Sequence, residues 1–160
     1  MASRHLIGLI SDTHGLLRPD VHHALAGVEL ILHAGDVGGE DVLHELRTIA
    51  PTLAVRGNTD PPAPHLESEI IQEIGGLSVH VSHGHELGQP TPERLLARYP
   101  QDVLVYGHTH KPFLLNREGR IVVNPGAAGQ RRFDLEPSVA RLRISDGIAD
   151  VEFVALSASE

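Results

Sequence analysis

Apolar runs and polar breaks alternate along the first two thirds of the chain with enough regularity to predict its elements. "LIGLIS" at 6–11 is a short apolar run that ends in the polar "DTHG", which predicts a strand and its exit loop. A helix is predicted at 19–26, where Pro19 suits a first turn and Asp20 the positive helix end. "ELILHA" at 29–34 predicts a second strand. "EDVLHELRTI" at 40–49 predicts a second helix, because Val42, Leu46 and Ile49 fall on one face. "TLAV" at 52–55 predicts a third strand, and the three prolines of "TDPPAPH" at 59–65 predict a stiff loop. Strands at 68–74 and 77–82 flank a Gly75-Gly76 hairpin turn, and a helix at 92–99 leads into a strand at 102–106. Beyond residue 110 the pattern changes to hairpins, with turns at Glu118-Gly119 and Asp146-Gly147. An α/β half therefore feeds an antiparallel half, with helices outside and sheet inside.

Length and composition narrow the picture. At 160 residues, with no linker and no low-complexity stretch, residues 1–160 read as one domain. Aromatic residues make up 3% and there is no Trp, so the core is expected from Val, Leu, Ile and Ala. A net charge of -8 argues against non-specific binding along nucleic-acid backbones. It leaves room for a small anionic substrate, since a bound metal reverses the local sign. The chain has no cysteine, which excludes disulfides and thiolate ligands. The N-terminal apolar run is too short for a secretory segment and nothing approaches a membrane span, so a soluble cytoplasmic protein is expected. Twelve histidines are the abnormal number.

Chemistry enters through position. Asp12, Asp36, Asn58, His83 and His108 each lie at or just past a predicted strand end, at intervals of 24, 22, 25 and 25 residues by subtraction. One strand and its return connection take about that length, so each group is expected back at the same sheet edge, where open α/β sheets bind ligands. A glycine stands beside or near each: "SDTHG", "AGD", "RGN", "SHG", "YGH". Asp12-x-His14 and His108-x-His110 each put two side chains on one side of a strand exit. Any one of these residues alone reads as a turn residue. Together they offer two carboxylates, one amide and four imidazoles, a nitrogen and oxygen set suited to Mn, Fe, Ni, Zn or Mg. Seven donors are too many for one tetrahedral ion and suit two ions that share Asp36.

The ordered set "SDTHG", "GD", "GN.D", "HGH" and "GHTH", followed by "NPGA" at 124–127, resembles the calcineurin-like metallophosphoesterase superfamily, and within it the small YfcE-type phosphodiesterases. The resemblance runs from Leu6 to about Arg132. It implies a four-layer αββα sandwich of two mixed sheets flanked by helices. It also implies one metal on Asp12, His14, Asp36 and His110, and another on Asp36, Asn58, His83 and His108. The cofactor implied is a pair of divalent ions, Mn2+ first, with Fe, Ni or Zn as alternatives. Asp36, Asn58 and His83 would carry catalysis through a metal-bridging hydroxide that attacks a small phosphodiester in line.

Two departures sharpen the expectation. Phosphoprotein phosphatases of this superfamily carry a histidine after the "GN" asparagine, where this chain has Thr59, and their "GD..DRG" loop is replaced by "GDVGGED". Diesters, or esters with good leaving groups, are therefore expected over phosphoproteins. His85 either orients a ligand or meets a phosphate oxygen, or it closes the turn. Arg131 and Arg132, after "NPGA", are either substrate contacts or an exposed charge pair. His22, His23, His44 and His65 read as surface residues, and Asp60 as structural. The competing function is a non-catalytic scaffold on the same fold, as in the retromer subunit that resembles this family but has lost ligands. Homo-oligomers are common among small relatives, so one is possible here.

Overall fold

The computed structural model describes residues 4–131 and 135–156. Its elements in chain order are β1 (Arg4–Ile10), α1 (Asp20–Ala24), β2 (Leu30–His33), α2 (Glu40–Leu46), β3 (Thr52–Ala54), β4 (Glu69–Ile74) and β5 (Leu77–Ser82). There follow a 3-10 turn at His85–Leu87, α3 (Pro92–Arg98), β6 (Val103–Val105), β7 (Phe113–Arg117), β8 (Arg120–Asn124), β9 (Ser138–Ser145) and β10 (Ile148–Ala155). They form two five-stranded mixed sheets, ordered β10-β9-β1-β2-β3 and β4-β5-β6-β8-β7.

Side-chain alternation explains the layers. Ile7 and Leu9 of β1 face inward and meet Val79, Val81, Val103, Val105, Ile121 and Val123 of the opposite sheet. The alternate position Ile10 faces outward and packs with Val21 of α1 and Val42 and Leu46 of α2. In the second sheet Leu104 and Val122 face outward, against Leu95 and Tyr99 from α3 and its C-terminal end. Central strands buried on both faces read as continuous apolar runs, as β1 and β6 do. Each fully buried Leu, Ile or Val contributes roughly 1.5–3 kcal/mol. The result is the expected helix–sheet–sheet–helix sandwich.

Helix lengths differ from expectation. α1 stops at Ala24 and α2 at Leu46, rather than at 26 and 49. After α2 the Thr48 hydroxyl donates to the Glu45 carbonyl and the chain tightens into i→i+3 bonds, with Pro51 just beyond. The hairpins occur where predicted. Glu118-Gly119 and Asp146-Gly147 both hold φ between 53° and 87°, the left-handed pair that a tight hairpin turn needs.

The donor positions divide between the two sheets, contrary to the single edge expected from their spacing. β1, β2 and β3 run parallel as neighbours in the first sheet, and β5 and β6 run parallel in the second. Asp12, Asp36 and Asn58 thus follow strands of one sheet, while His83 and His108 follow strands of the other. The five positions return to two facing edges, not one. Among the described residues no helix is long and apolar enough to cross a membrane.

Candidate metal centre

The site is built on strained backbone. Asp12, His14, Asp36, His108 and His110 all have positive φ, at 55°, 48°, 56°, 74° and 68°. Among the described residues the other non-glycine cases are Glu118 and Asp146, in the hairpin turns. Such conformations cost on the order of 1–3 kcal/mol each and persist where surrounding contacts over-determine them. Those contacts are present. The N–H groups of Asp12, His14 and Gly15 donate to the carbonyls of Gly35, Asp36 and Val37 at 3.0, 2.9 and 2.8 Å, zipping the β1 exit to the β2 exit. Buried Asp60 accepts from the N–H groups of Val37, Gly38 and Gly57 at 3.1, 3.1 and 2.9 Å, so its structural role is as expected. Gly57 and Gly107 are required by close approach. A Cβ on Gly57 would lie 2.1 Å from Asp36 Oδ1, and one on Gly107 2.1 Å from Ser11 Oγ.

These loops bring donor atoms together in two groups, Asp12 with His14 and His110, and Asp12 with Asp36 and His83; within each, all donor atoms lie within 4.8 Å. His110 Nε2 lies 3.4 Å from Asp12 Oδ1. Asp36 Oδ2 is 3.3 Å from His83 Nε2 and 3.6 Å from His14 Nε2, so it reaches toward both groups. Asn58 Oδ1 joins the second group, 3.0 Å from His83 Nε2. Both carboxylates therefore stand at the junction, where the sequence resemblance implied Asp36 alone. His108 stands at the rim, its ring 5.2 Å from that of His83 and its N–H donating to Asp12 Oδ2 at 3.1 Å.

The electrostatics favour a cation. Burial opposes ionisation of Asp36, but hydrogen bonds from His83 and the Thr59 N–H outweigh it and hold the carboxyl well below the usual range. Burial likewise opposes ionisation of Asp12, and His110, His83 and the Ser11 hydroxyl overcome it. Burial pushes the His83 pKa down, yet Asp36 and Asp12 together raise it. A field that holds a proton on a buried imidazole also holds a metal ion in that proton's place. Asp12 Oδ1 and His14 Nε2 are buried without any hydrogen-bond partner, which is costly unless something else binds them. His83 Nδ1 lies 2.8 Å from the Ala34 carbonyl, a contact it makes as donor, leaving Nε2 as the ligating nitrogen. The donor set fits divalent metal ions.

The structure adds residues that sequence reading left without a role. His33 is fully buried on β2. Its Nδ1 accepts from the Gly35 N–H at 3.1 Å. The Thr13 hydroxyl donates to the Val37 carbonyl at 2.7 Å and so accepts from His33 Nε2–H at 3.0 Å. His33 is thus a neutral imidazole that ties the loop of Asp12 and His14 to the loop of Asp36. Burial holds its pKa down at about 4. Since that lies below the unfolded value, the stability this group contributes is complete above about pH 6.5 and is lost as pH falls toward 4. The loss is on the order of 3 kcal/mol. Urea unfolding with chelator at pH 7 and pH 4.5 should therefore show a smaller acid-induced loss for His33→Gln than for the parent chain. Equal losses would remove His33 from this account. Asn124 of "NPGA" braces the other side, donating to the Gly107 carbonyl and to Thr109 Oγ1 and accepting from the Gly126 N–H.

The His85 ring lies 5.3 Å from that of His83, outside both donor groups, with a buried Nδ1 that has no partner. Arg131 is exposed, and Arg132 lies outside the described residues. His22, His23, His44 and His65 are exposed as expected, His22 pairing with Glu45 at 2.7 Å. A cavity of about 410 Å³ opens onto the donors, with His14, Asp36, Asn58, Thr59, His110 and Lys111 in its wall.

Comparison with known proteins agrees with this geometry. Residues 6–147 match the calcineurin-like phosphoesterase superfamily domain. A probable metallophosphoesterase of Methanothermobacter thermautotrophicus is 38% identical, over 96% of this chain and 94% of that protein. A phosphodiesterase of Methanocaldococcus jannaschii is 32% identical, over 75% of this chain and 82% of that protein. Among solved structures, vacuolar protein sorting 29 of Cryptosporidium parvum shares the fold, with a TM-score of 0.79 at 24% identity over 96% of this chain and 98% of that one. With this family match, and with relatives of that identity and coverage, the chain belongs to the calcineurin-like phosphoesterase superfamily.

Proposed function

We propose that this metallophosphoesterase is a dinuclear phosphodiesterase acting on small diesters. The observation that carries the reading is the pair of donor groups meeting at Asp12, with Asp12 Oδ1 and His14 Nε2 buried and unpartnered. We assign one ion to Asp12, His14, Asp36 and His110, and the other to Asp36, Asn58, His83 and His108, with Mn2+ as first choice and Fe, Ni or Zn as alternatives. When bound, such a pair makes a water acidic enough to ionise near neutral pH, neutralises phosphoryl oxygens and holds the attack in line. The chain's own residues position and exclude. His83, held by the Ala34 carbonyl, keeps Nε2 aimed at the centre. The Thr59 N–H holds Asp36 Oδ1 at 2.9 Å, which leaves Oδ2 free to reach inward. Thr59 stands where an imidazole acid would assist the leaving group, so an oxygen that departs unaided suits this site best.

The test compares Mn-loaded protein on bis(p-nitrophenyl) phosphate, on p-nitrophenyl phosphate and on a phosphoprotein. Faster turnover of the diester is expected; faster turnover of phosphoprotein overturns the reading. A scaffold role is the second reading, supported by the backbone shared with vacuolar protein sorting 29. Two ions bound per chain favour the enzyme, and none favours the scaffold.

A further inference from the structure

A phosphodiester carries two organic arms, and the cavity over the donors is not the only space beside them. A second cavity, of about 590 Å³, shares His108, Thr109 and Lys111 with the first. Its far wall is Tyr106, Pro112 and Phe113, with Gln89 at the rim. The chain has only three Phe and two Tyr, and one of each is here. Phe113 is partly buried against the cluster of Leu95, Leu104 and Val122, and pairs in register with Asn124, so the ring is supported from behind. Lys111, the single lysine, stands exposed at the junction of the two cavities. The space behind His85 is different. Its wall includes Glu69 and Glu86, already engaged with His80 and with the Tyr99 hydroxyl, and a ring placed there would desolvate those charges.

We propose that the cavity walled by Tyr106, Pro112 and Phe113 is a subsite for a flat aromatic ring on one arm of the substrate. The substrate class is then a phosphodiester with an aryl or nucleobase-bearing arm, not a dialkyl one. The ring lies on Phe113, Lys111 balances the charge of the phosphoryl group, and Gln89 offers both donor and acceptor to ring substituents. This rests on the phosphodiesterase reading of the metal centre.

The experiment measures binding of phenyl phosphate and methyl phosphate to the Mn-loaded full chain, by calorimetry and by inhibition of bis(p-nitrophenyl) phosphate hydrolysis. Phenyl phosphate should bind tighter by on the order of tenfold, as one stacked ring provides. Phe113→Ala should bring the two monoesters to within about twofold, with methyl phosphate affinity and bound metal unchanged. Phe113→Leu keeps apolar bulk against the cluster and removes the flat face, so it should reduce the preference even if the alanine variant does not fold. Equal binding in the parent chain, or an undiminished preference in Phe113→Leu, overturns the subsite and leaves the metal reading standing. Binding of neither monoester to protein that holds two ions overturns the phosphodiesterase reading, and the subsite with it.

Discussion

Asp36→Asn should abolish binding of the second ion, weaken the first, and lower hydrolysis of bis(p-nitrophenyl) phosphate by roughly a thousandfold. Paired ions supply several kcal/mol of charge stabilisation in the transition state, and each 1.36 kcal/mol is about tenfold in rate. The substitution is chosen for what it keeps. Asparagine retains an oxygen for the Thr59 N–H, the role Asp36 Oδ1 has now, and replaces Oδ2, which points toward His83 and His14, with a group that cannot ligate. Bound ions stabilise the folded chain by about 2.7 kcal/mol each at a hundredfold excess over their dissociation constants. Thermal melting with and without Mn2+ should therefore show a rise in the parent chain that is largely missing in the variant. An undiminished rise would exclude Asp36 from the centre.

Asp60→Ala should behave in the opposite way. It takes the acceptor from the exposed Gly38 N–H and from two buried backbone N–H groups, those of Val37 and Gly57. Each buried one costs roughly 1–3 kcal/mol, so urea unfolding of metal-free protein should show a loss of about 3 kcal/mol or more. In Asp36→Asn the metal-free loss should be much smaller. The two acids are 24 residues apart in sequence and belong to one loop cluster, yet one is spent on backbone and the other on the centre. Similar metal-free losses in both variants would show that this division is wrong.

How much of this is legible in the sequence depends on the range of the interaction. Strands such as β1 and β6 are covered on both faces, so their apolar runs stand out locally. The hairpin turns are fixed by Gly at the positions that need positive φ. The donors are legible for a related reason: metal-ligating residue types recur at the length of a strand plus its return. Which strands become neighbours is another matter. β1 pairs with β9, more than 130 residues later, and no local pattern in either strand specifies that partner. The division of donors between two sheets was hidden for the same reason. His33 was unreadable because a buried histidine in an apolar strand declares nothing until Thr13 and Gly35 are seen at its two nitrogens. Asn124 stood in a visible motif, but its bracing of the Gly107 loop needs the third dimension.

Drawing donors from facing edges also sets an order on assembly. Asp12, His14, Asp36 and Asn58 hang from one sheet; His83, His108 and His110 hang from the other. All seven have been synthesised once residue 110 is added, yet β9, which flanks β1, begins only at Ser138. The nascent chain thus owns a full set of chelating groups before it owns a finished scaffold for them, and a break between Asn58 and His83 would leave each fragment with an incomplete claw.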